Sequence, residues 1–174
     1  AVLYAAHKLK IKVFSCGGSA AIAAAAFGTK KIPKVDLIVG PGSDWVTLAK
    51  KEVSDVVGID GLHGPSEILI VADKYCNPEW IASDLLAQSE HSNDAMSILL
   101  SKNKNFIEKV KVSIVNQLKT LERKSIIKKS LKTNGMLIYT PSDKKIIEVA
   151  NKVGPEHLSI STKNYKKIVP KIKN

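Results

Sequence analysis

The sequence predicts an α/β fold with largely parallel sheets. Short β-branched or apolar stretches alternate with longer segments of helical period, and Gly-rich turns stand where strand gives way to helix. With 174 residues, 44% of them hydrophobic, the chain can bury a core.

The elements follow in order. Val2–Leu9 reads as a helix. Val13–Cys16 reads as a strand, followed by Cys16-Gly17-Gly18-Ser19 and a helix over Ser19–Phe27 with Ser19 as its N-cap. Paired glycines let backbone N–H groups approach an anion at a helix start, although the third spaced glycine of a dinucleotide fingerprint is missing. A plain tight turn explains the same residues equally well. Leu37–Val39 is the next strand, and Gly40-Pro41-Gly42-Ser43 repeats the strand–turn–helix pattern before a helix over Asp44–Val53. Two such loops in succession point to ligand binding beyond the strand ends.

Val56–Ile59 and Ile68–Ala72 read as strands on either side of Gly61-Leu62-His63-Gly64-Pro65, the expected internal hinge. Within the adjoining Gly64-Pro65-Ser66-Glu67, Ser66 either caps a turn or points its hydroxyl at a ligand. Asn77-Pro78 supplies an N-cap and Pro at the first position of a helix over Pro78–Gln88. Met96–Leu100 and Met136–Tyr139 are strand-like, with helices expected over Phe106–Leu121 and Ser142–Val153.

Two clusters carry candidate chemistry. Gln88 and His91 are three residues apart at a helix end, so both lean one way and could share a metal or a polar substrate. A His there also serves simply to meet the last carbonyls and the helix dipole. Gly154-Pro155-Glu156-His157-Leu158 places a carboxylate beside an imidazole, a base next to a proton carrier. Neighbouring side chains in an extended segment point apart, so the pair meets one ligand only in a turn, which Pro155 favours. An exposed Glu next to a structural His is the alternative. His7 and His63 lack sequence partners and read as structural or solvent-facing.

Charge is uneven. Residues 1–100 hold 9 Lys against 11 acids, and residues 101–174 hold 17 Lys plus Arg123 against 5 acids. Specific nucleic-acid readers use Arg for bases and aromatics for stacking, but 26 of the 27 basic residues are Lys and aromatics make up 5%. Lys102, Lys104, Lys109, Lys111, Lys119, Lys128, Lys129 and Lys132 fall between apolar residues at helical spacing, as solvated faces do. A basic binding module over residues 101–174 would bind tightly with a steep salt dependence, whereas weak non-specific retention is expected. No apolar run has membrane-spanning length and no signal peptide is visible. Cys16 and Cys76 form no spaced motif, so a reduced, cytoplasmic setting is expected.

Together these segments resemble the histidinol dehydrogenases. The resemblance runs in order through Gly17-Gly18-Ser19-Ala20-Ala21-Ile22-Ala23-Ala24, Ile32-Pro33-Lys34-Val35-Asp36, Ile38-Val39-Gly40-Pro41-Gly42, and Val57-Gly58-Ile59-Asp60. It continues through Gly64-Pro65-Ser66-Glu67, Asn77-Pro78-Glu79-Trp80, Asp84-Leu85-Leu86-Ala87-Gln88-Ser89-Glu90-His91, and Pro155-Glu156-His157-Leu158. It implies two Rossmann-like domains, both incomplete in this chain: residues 1–64 on the NAD side and 65–174 on the metal and substrate side. It implies a zinc-dependent homodimer that oxidises L-histidinol through the aldehyde to L-histidine and reduces NAD.

By this resemblance Gln88 and His91 are zinc ligands that also touch substrate, Ser66 holds substrate, Glu156 is the general base, and His157 is a proton-transfer partner that also touches substrate. Ala20 and Ser43 stand at NAD-contacting positions where the family has Gln and Asn. Losing a cofactor hydrogen bond costs about 0.5–1.5 kcal/mol. The remaining zinc ligands (an Asp and a His), a substrate-contacting Glu and an NAD-contacting Tyr fall outside the matched stretch. The chain is therefore expected to be the central part of a longer protein and inactive alone, since two ligands make no tight zinc site. A same-scaffold dehydrogenase for another small alcohol and a non-catalytic paralogue are the rival expectations.

Overall fold

The computed structural model describes residues 1–62 and 66–173. His63 and the centre of the expected hinge lie outside the described residues. The chain divides into two compact units, Ala1–Gly64 and Pro65–Asn174.

The first unit contains α1 (Val2–Lys8), α2 (Gly18–Phe27), β1 (Leu37–Ile38), α3 (Asp44–Glu52) and β2 (Gly58–Ile59). β1 and β2 pair in parallel, Leu37 beside Gly58 and Ile38 beside Ile59. A small core of Ile22, Ala26, Ile38, Val53 and Val57 packs α2 and the end of α3 against this pair. Two expectations need correction here. Val13–Cys16 forms no strand: it has no ladder partner among the described residues, and Cys16 N–H bonds locally to the Phe14 carbonyl at 3.0 Å. A β-branched run becomes a strand only when a neighbour accepts its backbone bonds. Ser19 does not cap α2, whose N-cap is Gly17.

The second unit is a four-stranded sheet covered on both faces. Its elements are β3 (Glu67–Ala72), α4 (Pro78–Ser89), β4 (Met96–Ser101), α5 (Lys104–Gln117), α6 (Lys124–Asn134), β5 (Gly135–Tyr139), α7 (Asp143–Val153), β6 (His157–Ser161), α8 (Tyr165–Ile168) and a 3-10 turn over Val169–Lys171. The strand order is β5-β4-β3-β6, and every pairing is parallel.

Alternation along β3 explains the two faces. Ile70 and Ala72 turn toward Ile81 and Leu85 of α4 and Phe106 and Val110 of α5. Leu69 and Val71 turn the other way, toward Ile146 of α7 and Ile168 of α8. A strand buried on both faces has to be apolar throughout, which is why Ile68–Ala72 reads as an unbroken run.

Helix starts follow the sequence signals. Asn77 accepts from Glu79 N–H at 2.9 Å with Pro78 next, and Ser142 accepts from Lys145 N–H at 3.2 Å. Asn103 caps α5 through Phe106 N–H at 2.8 Å. Beyond the end of β3, Cys76 Sγ lies 2.7 Å from the Ser161 carbonyl at the end of β6, and burial pushes this thiol's pKa up.

Candidate functional site at the amino edge of the sheet

Because all four strands run one way, their starts share one edge, and helices that follow strands return to it. Five candidate residues of the second unit collect along that edge. Ser66 immediately precedes β3, Glu156 precedes β6, and His157 is its first residue. Gln88 occupies the last turn of α4, and His91 stands in the loop that leads to β4.

Glu156 and His157 do meet. Glu156 lies in a bend, as the Pro155 turn signal suggested, and its Oε2 is 3.8 Å from His157 Nε2. The same oxygen accepts from Glu67 N–H at 3.3 Å, which ties the start of β6 to the start of β3 directly after Ser66. The carboxylate is 43% exposed and the imidazole 60%, so both can reach a ligand. On the other side of Ser66, its carbonyl accepts from Met96 N–H at 3.1 Å, which draws in the loop carrying His91.

Gln88 and His91 are fixed by backbone: His91 N–H donates to the Gln88 carbonyl at 3.2 Å. Below them, Ser89 Oγ donates to the Leu85 carbonyl at 2.8 Å and meets Ser97 Oγ at 2.8 Å, locking the end of α4 to β4. Gln88 is 8% exposed, and its Nε2 is buried without a partner among the described residues. A buried amide with an unmet donor costs about 1–3 kcal/mol, a cost that functional groups commonly carry. The amide oxygen and one imidazole nitrogen supply two donors of the four that zinc takes. Among the described residues no three His, Cys, Asp or Glu side chains gather as a metal site. The donors fit half of such a centre.

The first unit holds the other two candidates, both exposed: Ala20 in the first turn of α2 and Ser43 at the N-cap of α3. Ser43 makes no side-chain capping bond. Its loop is anchored by a partly buried ion pair that sequence reading missed. Lys50, 3% exposed, donates from Nζ to the Gly40 carbonyl at 2.5 Å and to Asp60 Oδ1 at 2.6 Å. Asp60 Oδ2 accepts from Gly40 N–H at 2.7 Å. The Lys50 ammonium, with the Gly40 N–H, holds the Asp60 carboxyl well below the usual carboxylate range. Gly40 has φ +119°, a region that L side chains avoid, and a Cβ on Gly42 would run into the Val46 side chain. The glycines are required by backbone conformation and close packing. The signal available in sequence was the ten-residue spacing from Gly40 to Lys50 and on to Asp60, which has no meaning until the chain is folded.

Residues 1–174 match the family model of histidinol dehydrogenase. The chain belongs to the histidinol dehydrogenase family. It is 62% identical to the histidinol dehydrogenase of Pelagibacter ubique (strain HTCC1062), covering 100% of this chain and 41% of that protein. The enzyme of Nitrosospira multiformis is 48% identical over 94% of the chain and 37% of its own length. The crystal structure of histidinol dehydrogenase from Elizabethkingia anophelis superposes with a TM-score of 0.92 at 40% identity, covering 99% of this chain and 40% of that one. The chain thus spans about two-fifths of the length of these histidinol dehydrogenases. Its α/β architecture with parallel sheets is that of the family.

Proposed function

We propose that the full-length protein oxidises L-histidinol through L-histidinal to L-histidine, with NAD as hydride acceptor and a bound zinc ion. Family membership supports the reaction class. The observation that bears most on mechanism is the meeting of Glu156 and His157 beside Ser66.

The first oxidation removes a hydride from the alcohol carbon and a proton from its oxygen. The second requires water to add to the aldehyde before another hydride and proton can leave. Glu156 is the base that takes the proton from the attacking water, a role that a positioned carboxylate can fill. Its bond from Glu67 N–H fixes one carboxylate oxygen in a side chain that stays 43% exposed. His157, within 4 Å of the carboxylate, accepts the hydroxyl proton and passes it to solvent. Ser66 presents a hydroxyl at the same edge to orient substrate. Gln88 Oε1 and an imidazole nitrogen of His91 would provide two zinc donors and contact substrate. Zinc would supply Lewis acidity and anchorage, since it does not change oxidation state. The nicotinamide would supply the hydride chemistry.

Residues 1–64 form the NAD-side unit in this reading and residues 65–174 the metal and substrate side, working as a homodimer. Ala20 contributes no polar side-chain contact and Ser43 a short one, so NAD binds weakly through the backbone of the Gly40–Ser43 loop. The test is Glu156→Gln in the full-length protein, with NADH measured from histidinol and from histidinal separately. Aldehyde oxidation is expected to fall 10²-fold or more, as for loss of a general base. Histidinal oxidation at the unmutated rate would remove Glu156 from that role.

A further inference from the structure

The candidate catalytic residues occupy the edge where the strands begin. Open α/β sheets more often seat ligands at the opposite edge, in the crevice between strands whose following connections leave on opposite faces. In the second unit that position falls between β3 and β6. β3 leads to α4, which packs on the Phe106 face, and β6 leads to α8, whose Ile168 packs on the Ile146 face. A cavity of about 460 Å³ opens there, lined by the loops that follow β3, β4 and β6 and by the start of α7. This is within the size range of small-molecule sites.

We propose that this carboxyl-edge crevice binds a small oxyanion of the phosphate type, either free or carried as a phosphate ester. The argument is one of charge left over after the walls are built. Asp73 spends both oxygens on backbone: Oδ1 accepts from Tyr75 N–H at 2.9 Å, and Oδ2 accepts from Lys163 N–H at 2.9 Å. One carboxylate thereby ties the loop after β3 to the loop after β6. Lys102 and Asp143 neutralise one another at 2.5 Å and tie the loop after β4 to the start of α7.

Backbone N–H groups do not cancel a carboxylate's charge, so the lining carries Lys74, Lys102 and Lys163 against Asp73 and Asp143, an excess of one positive charge. The two cations without an ion-pair partner among the described residues are Lys74 and Lys163. Lys163 Nζ sits 3.5 Å from the centroid of the Tyr75 ring, and Lys74 Nζ sits 5.3 Å from the same ring. Neither has a carboxylate partner among the described residues. An aromatic face orients an ammonium without cancelling its charge, so it holds the lysines in place while leaving them able to pair with an anion. Thr162 lines the same cavity, and its Oγ1 is buried with no partner among the described residues. Two ammonium groups without ion-pair partners on the wall of a pre-tied crevice supply donors of the kind a small oxygen anion takes. The α5 and α7 helices both start at this edge, and their positive ends add to the same field.

Titration calorimetry on the full-length protein at low ionic strength tests this, with inorganic phosphate in one arm and phenyl phosphate in the other. One saturable site is expected, weakened at least tenfold in a Lys74→Ala/Lys163→Ala double variant and weakened by added salt, with histidinol oxidation unchanged. Tyr75→Leu, which keeps both charges, is expected to cost a smaller factor. Tighter binding of phenyl phosphate identifies an ester as the ligand, and equal binding identifies the free anion. Absence of saturation in both arms, or equal affinity in wild type and double variant, overturns the proposal.

Discussion

Lys50 shows how much one side chain can organise. Its ammonium reaches a backbone carbonyl and a carboxylate at once, and both partners belong to the frame of the Gly40–Ser43 loop. Lys50→Met is therefore expected to raise the KM for NAD about tenfold while kcat changes little, with Lys50→Arg recovering part of the loss. Equal KM values would separate the clamp from cofactor binding. The pair also sets a pH dependence. Because the folded carboxyl of Asp60 titrates below its unfolded value of about 3.9, its stabilisation is complete above that pH and fades as pH falls through the folded value. Thermal melts of wild type and Asp60→Asn should differ most at pH 7 and converge below pH 4. At the amino edge, Gln88→Ala and His91→Ala are each expected to lower the zinc content of the purified full-length protein, measured by elemental analysis. The residue types at that edge were legible in sequence, since Gln88, His91, Glu156 and His157 sit in short motifs. Their supports were not. Glu67 N–H and Ser97 act on residues that only the fold brings near.

Elements were legible where local chemistry closes on itself. Asn77-Pro78 and Ser142 announce helix starts, and both cap as expected. Asn103 caps α5, which begins two residues before the expected start at Phe106, a cap the sequence reading did not name. Asn103→Ala is expected to destabilise the protein by about 1 kcal/mol in denaturant melts. Elements that depend on distant partners were harder to see. β6 is a strand because it lies beside β3, Ile68 against His157 through Ala72 against Ser161. Its sequence, His157-Leu158-Ser159-Ile160-Ser161, is half polar and follows a Gly-Pro turn signal, so it reads as loop. Val13–Cys16 is the reverse case, with strand composition and no ladder. The bounds of α6 were not assigned, although Lys128, Lys129 and Lys132 showed helical spacing, because Lys124–Asn134 buries little beyond Ile127 and Ser130.

At the scale of the molecule, the second unit owes its order to a sheet with a core on each face. Leu85, 1% exposed, stands at the centre of one of them, and Leu85→Ala is expected to cost about 2–5 kcal/mol in unfolding free energy. The lysines of residues 101–174 play no part in that core. Lys102, Lys104, Lys109, Lys111, Lys119, Lys128, Lys129 and Lys132 are all exposed. Among the described residues no helix is long and apolar enough to cross a membrane.

The contact between Cys76 and the Ser161 carbonyl spans 85 residues of sequence and exists only when the last strand has taken its place. Closing so long a loop comes late in folding, because its entropy has to be spent before any bond repays it. Cys76 can therefore serve as a clock. During refolding, brief pulses of a thiol reagent should modify it until β6 docks and then stop, while Cys16, exposed in the first unit, stays open throughout. Since β6 also carries His157 and brings Glu156 to Glu67, the moment at which Cys76 falls silent should be the moment at which the proposed catalytic edge first exists.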